Sequence, residues 1–300
     1  MNKYCLKHPK LYGIKGIFVR VIKAIPNTLT LCNLICGCLG IVFAFNQKLE
    51  WAGYLIGIAA IFDFLDGFSA RLLNAKSPIG KQLDSLADMV TFGVLPGVIV
   101  FQFLSISFGE YFVEFSQRPI AHIAIQCTGF LIVAFSALRL AKFNIDEAQS
   151  DSFIGMPTPA IAIFIGSLPI VLFSMGFNFY NPLSAEVLDT VGKMKYWSDL
   201  DFAVVSALQS TLFLFGMTIF CSAMLVVPIR MLALKFSGFG WGENKNIFVF
   251  LILVMIIVVY TSVPYMFYFK EMPVLDFLAI PLVILIYPLY SVVTNTIKGK

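Results

Sequence analysis

Eight apolar stretches of about twenty residues or more decide what this chain can become: 27–46, 51–73, 79–106, 120–143, 157–176, 204–232, 246–270 and 274–297. A helix needs roughly 20 mostly apolar residues to cross a bilayer. The chain therefore reads as all-α, a polytopic transmembrane helical bundle of about eight spans. The third and sixth stretches are long enough to tilt or to reach past the bilayer. With 59% hydrophobic and 13% charged residues over 300 positions, a soluble domain with a large core is excluded. With the N-terminus in the cytoplasm, sixteen of the 21 Lys and Arg fall inside and five outside. That bias puts both termini, and the turn after the second span, on the cytoplasmic face of the inner membrane. The net charge of +4 follows from the same bias and gives no reason to expect nucleic acid.

Residues 1–26 read as a cytoplasmic N-terminus and 27–300 as one membrane domain. Ile14, Phe18, Val21, Ile22 and Ile25 share one face of a helix expected to end before Pro26. That segment reads as an amphipathic helix on the inner leaflet, or as an ordinary basic flank. Lys15, Arg20 and Lys23 interrupt it, so no cleavable signal is expected. Six cysteines suggest no disulfide framework. The only histidines, His8 and His122, do not complete a zinc site, and His122 reads as interfacial. The polar loop 177–200 is expected outside, with a short helix around 185–194.

Four aspartates interrupt the second and third apolar stretches, where carboxylates are costly and usually mark a site. Asp63 and Asp66 are i,i+3, and Asp84 and Asp88 are i,i+4, so each pair shares a helix face. The short connection between the helices makes them antiparallel. A hairpin centred near Ala75 sets Asp66 level with Asp84 and Asp63 level with Asp88, in two tiers. Four negative charges in a low dielectric need neutralising. Hard divalent cations with oxygen ligands do this, and two metals roughly 3.5–4 Å apart are the usual form for phosphoryl chemistry. Gly67 and Gly80 leave room for close approach. Ala70 keeps the same face shallow enough for a flat ring, and Arg71 can hold a phosphate or a carboxylate. Helix packing through small residues is the alternative for Gly67 and Ala70. Arg139 and Lys142, i,i+3 at the inner end of the fourth span, read as a membrane anchor or as an anion site. The fifth span starts beside them at 157–160, with a positive helix end. Asn144 and Thr158 are further candidates for polar contacts there.

The combined pattern, D-x2-D-G-x2-A-R-x8-G-x3-D-x3-D, sets eight fixed residues over 26 positions from Asp63 to Asp88. It resembles the signature of the CDP-alcohol phosphotransferase family at every fixed position. Residues 26–37, 138–144 and 153–160 are similar to the phosphatidylserine synthase branch, so the likeness covers roughly the first half of the chain. The resemblance implies a membrane enzyme that takes CDP-diacylglycerol, transfers its phosphatidyl group to L-serine and releases CMP. It also implies a homodimer among membrane lipids. Asp63, Asp66, Asp84 and Asp88 are then the ligands of two Mg2+ or Mn2+ ions. Asp88 also serves as the catalytic base for the serine hydroxyl, in direct transfer. Asp66, Gly67, Ala70, Arg71 and Gly80 bind CDP-diacylglycerol, while Arg139 and Lys142 bind the acceptor carboxylate or a phosphate. Two alternatives stay open. A sister enzyme would use glycerol 3-phosphate or inositol phosphate, and a cation transporter would need a polar path to the outer face.

Overall fold

The computed structural model describes residues 14–145, 155–175, 177, 179, 199–229, 231, 241–269 and 277–298; side chains are described for fewer of them. The first thirteen residues and the helix expected around 185–194 lie outside the described residues, as does His8. The described chain is all helical: α1 (Ile14–Phe45), α2 (Leu49–Leu72), α3 (Pro78–Asp88), a π-helical segment (Met89–Val94), α4 (Leu95–Ser107), α5 (Ile120–Gln126), α6 (Phe130–Ile145), α7 (Thr158–Ser174), α8 (Asp199–Gln209), α9 (Thr211–Val226), α10 (Trp241–Phe269) and α11 (Ala279–Lys298).

All eight apolar stretches contain helix. Among the described residues, five helices are long and apolar enough to cross a membrane: Ala24–Phe45, Pro78–Ser107, Ile120–Ile145, Asn244–Thr261 and Ala279–Thr296. A sixth is obtained if α8 and α9 count as one span. The expected number was eight. The single span expected over 204–232 is broken, because α8 and α9 meet at 83°. No proline makes this break. Ser210 leaves the helical region with ψ 116° and caps α9, its hydroxyl accepting from Phe213 N–H at 3.4 Å. α7 has 17 residues, the short limit for a crossing.

α1 also departs from expectation. It does not end before Pro26 but runs through it. Proline removes one intrahelical bond, whereas ending a helix in lipid would strand several backbone groups. The continuous helix is the cheaper solution.

α4 and α7 form the centre. Every residue from Leu95 to Ser105 is buried, as is most of α7. α1 packs along α2, α2 along α7, and α6 against α9 and the π segment, while α11 joins the bundle through α7. The exposed faces of α1 and α10 are apolar (Leu31, Ile35, Leu39, Val42; Met255, Ile256, Val259), as lipid contact requires.

Glycines permit the closest crossings. A Cβ on Gly53 of α2 would run into the Gly166 carbonyl of α7, and one on Gly129 would lie 2.8 Å from the Gly97 carbonyl. Two polar side chains inside the bundle donate to α1 backbone. Thr91 Oγ1 donates to the Asn33 carbonyl (3.1 Å) and Gln102 Nε2 to the Ala44 carbonyl (3.2 Å). Thr91 and Gln102 are the polar residues between Asp88 and Phe103, and both are spent on α1 backbone.

The far end of the bundle holds a separate network. Arg118 donates to Ser105 Oγ and Gln126 Oε1, both at 3.0 Å, and Gln126 Nε2 donates to Glu110 Oε2 at 2.7 Å. His122 Nδ1 lies 2.6 Å from Glu110 Oε1, and its ring stacks on Phe108. His122 is thus a structural partner of Glu110. The described cysteines, Cys32, Cys36, Cys38, Cys127 and Cys221, are all free.

Gly53→Ala pushes a methyl into a backbone carbonyl and should cost about 1–3 kcal/mol. Gly57→Ala, one turn on with open space around it, should instead stabilise the helix by about 0.5–1 kcal/mol. Thermal midpoints of the two variants in detergent would check this. Equal midpoints would discount the α2–α7 crossing.

Candidate active site

The site begins with the turn that joins α2 to α3. α2 ends in a Schellman motif. Asn74 takes a left-handed conformation (φ 48°), Ala75 N–H donates to the Ala70 carbonyl (3.0 Å), and Asn74 N–H donates to the Arg71 carbonyl (3.3 Å). Ser77 then caps α3, accepting from Gly80 N–H at 3.0 Å, and Pro78 starts the helix where its missing N–H costs nothing. The chain reverses in a few residues, as the short connection implied.

α2 and α3 do not pack against each other as a close hairpin. Both lean on α1, and the gap between them is a cavity of about 730 Å3. α1 contributes Pro26, Asn27 and Thr30 to its wall. α2 contributes Asp66, Gly67, Ala70 and Arg71. The turn and α3 add Lys76, Ser77, Gly80, Lys81 and Asp84, and α6 adds Phe143. All five residues expected to bind the nucleotide line this one space. Gly67 has nothing within 4 Å of where a Cβ would stand, so its face opens directly on the cavity. Gly80 plays a different part, because a Cβ there would lie 3.0 Å from Ser77 Oγ and 3.1 Å from Asn27 Oδ1. It lets the cap and α1 close on the start of α3.

Asp63, Asp66 and Asp84 bring carboxylate oxygens within 4.8 Å of one another. These three form one compact group, and Asp88 stands beside it, within electrostatic reach of Asp63, Asp84 and Asp66. Asp88 Oδ1 accepts from Asn33 Nδ2 at 3.2 Å, and Asn33 is fully buried. Asp66 Oδ2 accepts from Thr30 Oγ1 at 2.6 Å. Asp84 Oδ1 is buried with no hydrogen-bond partner. A buried carboxylate oxygen without a donor is costly. Three carboxylates at this spacing, one of them with an orphaned oxygen, fit a hard divalent cation with oxygen ligands. Asp63, Asp66 and Asp84 would hold it.

The expected acceptor residues are placed otherwise. Arg139 Nη1 donates to the Leu225 carbonyl at 3.0 Å, one of the last carbonyls of α9, which lack intrahelical partners. Gly155 passes beside this contact. Lys142 is exposed at the end of α6, and Thr158 is buried at the start of α7. None of the three lines the cavity. Asn144 bonds Ser85 of α3, its Nδ2 donating to Ser85 Oγ at 2.9 Å.

Several site residues were not picked out from the sequence: Asn27, Thr30, Asn33, Lys76, Lys81 and Phe143. One signal was there. Asn27, Thr30 and Asn33 recur every three residues through an apolar run, a spacing that keeps them near one helix face.

A sequence model of the family described as CDP-alcohol phosphatidyltransferase matches residues 23–194. The CDP-diacylglycerol–serine O-phosphatidyltransferase of Helicobacter pylori strain J99 is 37% identical over 142 residues, 47% of this chain and 54% of that protein. The enzyme of the same description from Bacillus subtilis is 37% identical over 159 residues, 53% of this chain and 78% of that protein. An archaetidylserine synthase of Methanothermobacter thermautotrophicus is 28% identical over 190 residues, 63% of this chain and 73% of that protein. The chain spans about half the length of the Helicobacter relative it matches.

Arg139→Met should destabilise the protein by about 1.5–3 kcal/mol, the worth of a hydrogen bond from a charged group. Lys142→Met should leave stability unchanged. Thermal unfolding in detergent separates the two. A normal midpoint for Arg139→Met would return that residue to the list of ligand-binding candidates.

Proposed function

The chain belongs to the CDP-alcohol phosphatidyltransferase family, and from that membership we propose that it transfers the phosphatidyl group of CDP-diacylglycerol to the hydroxyl of L-serine, releasing CMP. The observation that carries the reading is the cavity between α2 and α3, where Asp66 and Asp84 share a wall with Arg71, Lys76 and Lys81. Acidic groups for a cation and basic groups for phosphates meet in a space of ligand size. Serine as acceptor draws its support from the printed names of the Helicobacter and Bacillus relatives.

In this reading the nucleotide enters the cavity beside Gly67 and Ala70, with its diphosphate toward Arg71, Lys76 and Lys81. Asp63, Asp66 and Asp84 hold Mg2+ or Mn2+. Bound there, such an ion supplies positive charge against the charge that builds on departing CMP. Thr30 orients Asp66 by its hydroxyl. Asp88, outside the group of three and oriented by Asn33, takes the proton from the serine hydroxyl as that oxygen attacks phosphorus. The bond from phosphorus to the CMP phosphate oxygen breaks, and CMP leaves with the electron pair. A base that does not share the ligand group keeps more of its basicity than one bound to a cation. Lys142 is the remaining candidate for the serine carboxylate, since Arg139 is engaged at the end of α9. The cytoplasmic face of the inner membrane and a homodimer belong to the same reading.

Purified protein given CDP-diacylglycerol and Mn2+ should release CMP with L-serine. Asp84→Asn should lower that rate at least a hundredfold, in line with loss of a group that positions and stabilises charge in the transition state. Release with glycerol 3-phosphate or inositol phosphate instead would keep the site and overturn serine. No release with any acceptor, from folded protein, would sink the transferase.

Gly67→Ala should leave the fold intact, since nothing surrounds the new methyl, yet raise KM for CDP-diacylglycerol. An unchanged KM would place the nucleotide away from this face.

A further inference from the structure

The last turn of α6 grips α3 through one residue. Lys81 Nζ donates to the Asn144 carbonyl at 3.2 Å. The Asn144 amide and the Ser85 hydroxyl lie against each other, with Nδ2 2.9 Å from Ser85 Oγ and Oδ1 3.1 Å from it. The Asn144 carbonyl is among the last of α6, where a lysine ammonium is favoured by the free acceptor and the helix dipole. At 100° per residue, Lys81, Asp84, Ser85 and Asp88 fall within about 100° of the circumference of α3. A grip on Lys81 and Ser85 therefore sets the rotation of the very face that carries the two aspartates. From another side α1 packs on α3 and Asn33 holds Asp88, while α2 stands off across the cavity.

We propose that Asn144 is a positioning residue. Together with α1 it sets the rotation of α3 and so fixes Asp84 and Asp88, and its carbonyl takes one proton of the Lys81 ammonium at the cavity wall, where that head group faces a phosphate. This rests on the phosphatidyltransferase reading for its kinetic consequence, but not for its geometry. Asn144 was expected as an acceptor contact. In the structure its side chain is committed to Ser85, and the cavity is lined instead by its neighbour Phe143.

The test compares Asn144→Ala, Ser85→Ala, Ser85→Thr and the double alanine variant. Misplacement of reacting groups by an ångström costs on the order of a hundredfold in rate. Asn144→Ala and Ser85→Ala should each lower kcat about tenfold or more, with KM for serine little changed and thermal midpoints near that of the parent. The double variant should be no slower than the slower single variant, because both remove one contact. Ser85→Thr keeps the hydroxyl and should retain kcat. Losses that multiply in the double variant, a kcat within twofold of the parent for Asn144→Ala, or a rise confined to serine KM would each overturn the proposal.

Mn2+ affinity, read by electron paramagnetic resonance, keeps the two ideas apart. Both alanine variants should bind Mn2+ several-fold more weakly through displaced Asp84, whether or not the parent releases CMP. Unchanged affinity would overturn the grip itself. Parent protein that binds Mn2+ but releases no CMP would count against the transferase reading alone.

Discussion

Three carboxylates held within 4.8 Å of one another in an otherwise apolar bundle are the constraint that the surrounding structure answers. Such groups repel and lose hydration. They need donors, counter-charge and a scaffold that keeps them from moving apart. Thr30 and Asn33 on α1 supply donors to Asp66 and Asp88. Lysines and arginine line the adjoining cavity wall. The tight crossings of α1 on the π segment, through Gly37 against Thr91, bring the α1 donors within reach. Thr91 and Gln102, away from the site, donate to α1 backbone carbonyls.

The division of labour among helices follows. α4 and α7 are buried almost throughout and serve as the fixed centre. α1, α2, α3 and the end of α6 surround the cavity and supply its chemistry. α10 and α11 reach the bundle through α7 and contribute no residue to the cavity wall among those described. Site residues thus come from rigid helices on three sides, joined by one short turn whose conformation is set by Asn74, Ser77 and Pro78.

Much of this was legible in the sequence, for local reasons. The i,i+3 and i,i+4 spacings fixed which aspartates share a face, and the short link between Asn74 and Pro78 fixed the reversal of direction. The residues expected to bind nucleotide do line one cavity. What was not legible depended on rotation and on partners distant in sequence. That Asn33, 55 residues away, donates to Asp88 could not be read from the aspartate spacing. Arg139 looked like an anion ligand by composition, but the free carbonyl end of α9 lies 86 residues further on. The break at Ser210 carried no proline to announce it, and the continuity of α1 through Pro26 ran against the proline signal. Among the described residues five or six of the eight expected spans are recovered; the sixth stretch is bent at Ser210 and α7 is short, neither of which apolar length alone reveals.

The π segment between Asp88 and Leu95 has a consequence for inheritance of this architecture. α3 is amphipathic, with a charged face toward the cavity, whereas α4 is apolar on all sides and buried. One continuous rod must belong to two environments. The wider turn inserts an extra residue into the helical count, so the two halves keep separate phases without a break in the hydrogen-bonded backbone. Loss of a single residue from 89–94 would turn one half against the other by about 100°. Every side chain in either half could be conserved and the charged face would still meet lipid or packed core. Insertions and deletions in this six-residue stretch should therefore be tolerated less than substitutions, although no residue within it lines the cavity.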